Sequence, residues 1–200
     1  MIKIHKYLII AGISIGILVA TLTIAFFILP GKNNYIDKIN NLEGTTLASF
    51  RTHAKSVDEL ISISELIIEG KVVDYEPVII DNIVYTKETV EVKKAMKGDI
   101  AEGDKIIVAF TGGELNSMTT PPIKDCPLMD MRGNYMLFLK TNDGVNYFVI
   151  GGNQGFGLIK DNKIQATEQG ELGDTFRRYK ADELEKTITN EIGKSISQVE

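Results

Sequence analysis

The chain has no tryptophan, two histidines and a single cysteine. With only Cys126, an internal disulfide framework is impossible and stability must come from packing. No cysteine stands directly after the first apolar stretch, which argues against a lipid-modified N-terminal cysteine. Both histidines, His5 and His53, precede the strand-rich part. A Ser-His-Asp or Cys-His site would therefore require His53 to fold back onto it. Cations are scarce too: of the 22 Lys and Arg, Lys3 and Lys6 precede residue 30, leaving 20 against 27 Asp and Glu, a balance of −7. That balance argues against nucleic acid and against an anionic membrane surface as partners.

What is present is first a run without charge. Tyr7 to Leu29 is 23 residues long and follows Lys3, His5 and Lys6. As a helix it would reach roughly 34 Å, enough to cross a hydrocarbon core of about 30 Å. A cleaved secretory leader is the rival reading, which would make the protein secreted. The run exceeds the apolar core of such leaders, and Phe26-Phe27-Ile28-Leu29-Pro30 offers no small-x-small cleavage site. The sequence thus predicts a single-pass anchor with residues 1–6 as a cytoplasmic stub, residues 31–200 extracytoplasmic and the cell membrane as location.

Beyond Pro30-Gly31, residues 30–55 read as a polar tether in which Tyr35, Ile36, Ile39 and Leu42 could form at most a turn or two of amphipathic helix. Ser56-Val57-Asp58-Glu59 has the spacing of a capping box and predicts a short helix. From Leu66 the periodicity shifts. Ile67 to Tyr75 predicts a strand with a bulge at Gly70, and Ile83 to Met96 a second strand with Val84, Thr86, Val90, Val92 and Met96 on one face. Lys105 to Thr111 is a third. Gly133–Lys140 and Asn146–Ile150 predict a hairpin about Asn142-Asp143-Gly144, and Phe156–Lys160 with Lys163–Gln165 a smaller one about Asp161-Asn162. Ala181, Leu184, Ile188, Ile192 and Ile196 recur every three or four residues, a helix with one apolar stripe. The expected architecture is mainly β: a small closed antiparallel barrel over 56–172, then a C-terminal helix and tail over 173–200.

Ser64–Val72, Tyr85-Thr86 with Val90–Gly98, and Gly133–Leu139 together resemble the netrin-like, TIMP-like OB-fold domain of small membrane-anchored surface proteins of Gram-positive bacteria. The resemblance covers about residues 56–165. Inhibitors of that type grip zinc with an N-terminal cysteine, and none precedes Cys126, so the resemblance implies the fold and not the inhibitory chemistry.

Few side chains suggest chemistry. Carboxylate pairs such as Asp58-Glu59, Asp125/Asp130 and Glu168/Glu171 are common in an acidic chain, and Gly193-Lys194-Ser195 lacks the upstream glycine of a phosphate loop. No cofactor and no catalytic set is expected. Residues 112–132 read as one long loop with Met118, Cys126, Met129 and Met131, whose soft sulfurs could hold copper or serve redox chemistry. Gly151-Gly152-Asn153-Gln154 reads as a sharp corner whose open backbone could accept a peptide. The main expectation is a non-enzymatic module whose contacts with a protein or peptide partner come from Met118, Cys126, Met129, Met131, Gly151, Gly152, Asn153 and Gln154.

Overall fold

The computed structural model describes residues 34–44, 46, 53–167 and 170–197. The membrane run 7–29, the stub before it and the side chain of Ile196 lie outside the described residues. Among those described, no helix is long and apolar enough to cross a membrane.

Two long strands, β1 (Leu66–Ile80) and β2 (Ile83–Lys97), form a hairpin, and β3 (Lys105–Thr111) pairs with β2. After a small hairpin of β4 (Gly113–Leu115) and β5 (Met118–Thr120) come β6 (Asn134–Thr141) and β7 (Asn146–Val149). β6 pairs with β1 and β7 runs parallel to β3, so the sheet closes on itself in the order β1-β2-β3-β7-β6-β1. β8 (Phe156–Lys160) continues along the β7 edge of β6, with β9 (Lys163–Ala166) outside it. The ring leaves a single parallel contact among antiparallel ones. The helices are α1 (34–40), α2 (Val57–Ile63), α3 (Glu171–Arg178) and α4 (Ala181–Ser197).

Local chemistry explains the turns. Asp81-Asn82, Asn116-Ser117 and Asp161-Asn162 all take positive φ, between 49° and 65°. Asn and Asp tolerate this left-handed region, which a two-residue hairpin with matching twist requires. Asp143 organises the longer β6–β7 turn by accepting from the Val145 and Asn146 backbone N–H groups at 2.9 and 2.8 Å. Those bonds hold its carboxyl below the ordinary carboxylate range. The bulge expected at Gly70 is present as a register shift between Glu69 and Gly70. A Cβ at Gly70 would stand 2.4 Å from Val90 Cγ1. Ser56 caps α2 by accepting from Glu59 N–H at 3.1 Å, while the Glu59 carboxylate reaches one residue further back, to Lys55 N–H.

Two cores result. Inside the ring, Val90, Val92, Ile106, Val108, Phe110, Leu137, Leu139 and Val149 share one cluster, as their alternation predicts. Outside it, Ile67, Met136 and Phe138 meet α2, α3 and α4, where Leu184 and Ile188 are fully buried. β6 is covered on both faces, which is why Tyr135 to Leu139 reads as unbroken apolar sequence. Burial of each such side chain contributes roughly 1.5–3 kcal/mol. Met96, expected on the inner face with Val90 and Val92, instead packs with the outer cluster beyond the irregular end of the strand.

Three expectations are corrected. The segment read as a tether is in part core: Ile36 and Ile39 of α1 are 1% and 0% exposed and belong to the inner cluster. The loop 112–132 contains the β4–β5 hairpin. A separate helix, α3, precedes the expected C-terminal one, its Leu172 and Phe176 buried in the outer cluster.

Candidate functional site

Alternation along β2 carries an exception with chemical consequences. Glu88 has the same parity as Val84, Thr86, Val90 and Val92, so the pleat turns a carboxyl group into the ring, where it is 0% exposed. Its Oε1 accepts from Met129 N–H at 3.0 Å. Among the described residues its Oε2 has no hydrogen-bond partner. Burial pushes the Glu88 pKa well above the ordinary carboxylate value; the bond from Met129 opposes this and the nearby Asp130 adds to it. Burial therefore favours the protonated form of Glu88, which is held against the loop that crosses the end of the ring.

That loop carries most of the sulfur expected to be functional. Cys126 is buried and its thiol donates to the Gly152 carbonyl at 3.2 Å. Burial first, and Glu88 second, push its pKa up to about 12, which disfavours a free thiolate. Leu128, Met129 and Met131 enter the inner core at 2%, 0% and 9% exposure. The loop is held by Asn40 of α1, which bonds both backbone groups of Leu128. Asp130 N–H donates to the Tyr135 hydroxyl at 2.7 Å. Two clefts flank Asp130. One of about 210 Å³ lies against Asn40, Leu128, Tyr135 and Phe156, and one of about 310 Å³ against Ile36, Asp37 and Met131.

Of the eight candidate contact residues, the structure brings Cys126, Met129 and Met131 into one cluster, with Gly152 against the Cys126 thiol. Met118 sits apart, half-buried in β5. Gly151, Gly152 and Gln154 are buried, and Asn153 is partly exposed. The Gln154 side chain is engaged by the chain itself: its Oε1 accepts from Ala54 N–H at 2.9 Å and its Nε2 donates to the Ala54 carbonyl at 3.1 Å. The corner is thus a filled joint. His53 is exposed, and among the described residues no three His, Cys, Asp or Glu side chains gather to hold a metal.

Glu88 escaped the sequence reading although its parity was visible. A charged residue at even spacing among Val84, Thr86, Val90 and Val92 was the available sign. Sequence comparison adds no identity: the chain matches no protein-family model and no curated protein.

Proposed function

We propose that this chain is a membrane-tethered extracytoplasmic binding module without catalytic activity, anchored by residues 7–29 with its N-terminus inside. The ring is then a small OB-like barrel. The order β1-β2-β3-β7-β6-β1 with one parallel contact supports that assignment, since Greek-key closure of five strands is the defining trait of that fold. Such barrels host many binding functions, so the fold by itself names no ligand.

The observation that carries the tethered reading is the junction. Only residues 30–33 separate the 23-residue uncharged run from α1, and α1 is inner core. A rigid body close to the bilayer suits a presenting or docking role. Met118 and Asn153 are the two candidate contact residues with solvent access, and a protein or peptide partner would meet the module there. The copper and redox alternative gains no support from a thiol held protonated and bonded to Gly152.

Protease added to intact protoplasts should remove the domain and leave a short membrane-embedded stub. Full protection would reverse the orientation, and mature protein in the medium beginning near residue 30 would replace the anchor by a cleaved leader. Chemical cross-linking from the Asn153→Cys variant on intact cells, followed by isolation, tests the binding role; failure of that variant to form an adduct with any macromolecule in any growth condition would count against it.

A further inference from the structure

The loop that crosses the end of the ring is fastened in its middle by side chains and at its ends by backbone. Leu128, Met129 and Asp130 present successive N–H groups, which donate to Asn40 Oδ1 on α1, Glu88 Oε1 on β2 and the Tyr135 hydroxyl on β6. At the ends, Cys126 N–H donates to the Ile123 carbonyl at 2.9 Å and Arg132 N–H to the Val72 carbonyl of β1 at 2.9 Å. Asp125 and Arg132, which stand at the two joints, take φ of 59° and 65°. Left-handed backbone is costly for a long side chain such as arginine and persists where the surroundings impose it. Residues 126–131 are thus a short flap between two such joints, with Leu128, Met129 and Met131 pressed into the inner core.

Beneath the flap lies Glu88. The ladders set it directly opposite Tyr75 of β1 and Val108 of β3, on the same face as both. The titratable groups that face it are Tyr75, the Cys126 thiol and Asp130 of the loop, and Tyr135 of β6, with Asp37 of α1 acting on Asp130. None of these is a cation. An ionised Glu88 would therefore hold one bond, from Met129 N–H, with Oε2 unpartnered among the described residues and a second acid close by. Met129 N–H favours the carboxylate, yet burial outweighs that bond. Water is the partner the carboxylate lacks. β1, β2 and β3 are tied by long ladders, so the element able to yield and admit it is the flap.

We propose that residues 126–131 form a pH-sensitive gate: loss of the Glu88 proton to solvent swings the flap out about Asp125 and Arg132, hydrating the carboxylate and uncovering Cys126 and the ring interior. The sign follows from the raised Glu88 pKa. Closure keeps its full advantage below the ordinary 4.5 and loses it as pH rises toward the folded value. Asn40 holds the flap closed at every pH, because its amide does not titrate. Asp130 and Asp37 add negative charge on the flap side and so work with Glu88. The gate operates whether or not the chain is anchored in a membrane.

Cys126 is the only thiol in the chain, so its alkylation by iodoacetamide in the detergent-solubilised full chain reads the gate. The ratio of the parent's rate to that of Glu88→Gln cancels the ionisation of the thiol itself. In a scan from about pH 5 to pH 9 that ratio should climb by up to about tenfold per pH unit and then level. Low urea should barely alter the parent's rate while amide exchange in β2 and β3 stays slow, the mark of a local opening. A ratio that is flat with pH overturns the proposal. A rate that rises with urea as steeply as global unfolding also overturns it, since the ring itself then opens. Should Glu88→Gln fail to fold, the parent alone decides: its rate should rise by more than the roughly tenfold per pH unit that thiolate formation supplies, and a rise of that size or less overturns the gate.

Discussion

Asn40 and Leu128, 88 positions apart, are joined by two hydrogen bonds: Asn40 Nδ2 donates to the Leu128 carbonyl at 3.0 Å, and Leu128 N–H donates to Asn40 Oδ1 at 2.8 Å. The amide side chain stands in for a neighbouring strand. Gln154 does the same for Ala54. Between them the two amides fasten α1 and the segment before α2 to the ring.

Asn40→Ala should cost roughly 2–3 kcal/mol, since two partly buried bonds are lost and Leu128 N–H and C=O lose the partners Asn40 supplies. Chemical denaturation measures it. Asn40→Asp should recover only the acceptor half of the pair, so its midpoint should lie between the two.

Gln154→Ala should destabilise by about 2–4 kcal/mol for the same reason at a more buried site. Native-state hydrogen exchange at Ala54 should then accelerate while exchange in β2 and β3 changes less. Equal acceleration throughout would mean that the joint is part of the global folding unit.

Glu88 links stability to pH. Its folded pKa is raised above the ordinary 4.5, so in the window above that value the unfolded chain releases a proton that the folded chain keeps. Stability contributed by Glu88 is full below 4.5 and declines as pH rises toward the folded value. Glu88→Gln keeps an acceptor for Met129 N–H and removes the titration. The variant should therefore gain on the parent in denaturant midpoint as pH rises above 4.5 toward the folded value of the parent. A constant difference across that range would contradict a neutral buried acid.

Cys126 should resist thiol reagents in the folded protein at about pH 8 and react at once in denaturant, because burial holds the thiol protonated. Cys126→Ser retains a donor for the Gly152 carbonyl, so the melting temperature should fall by a few degrees at most. Non-reducing gels should show monomer. Rapid labelling of the native chain would place the 126–131 loop outside the core.

The turns and strands were legible because their causes are local. Asp161-Asn162 and Gly144 announce positive φ through residue type alone, Ser56 and Glu59 announce a helix start, and alternation marks the inner faces of β2 and β3. Leu184 and Ile188 likewise declare a stripe that some surface must cover. The role of α1 was not legible in this way. Ile36 and Ile39 make one short apolar edge, too little to nucleate a helix in isolation, and only the ring against which they pack stabilises it. The same holds for Glu88, whose position among valines shows which way it points but not that Met129 N–H waits there, 41 positions away. Local sequence settled backbone conformation and facing, since these depend on neighbours within a few residues. The tertiary structure decided which distant backbone groups receive Asn40, Gln154 and Glu88, because unsatisfied polar atoms are created only when the chain closes around them.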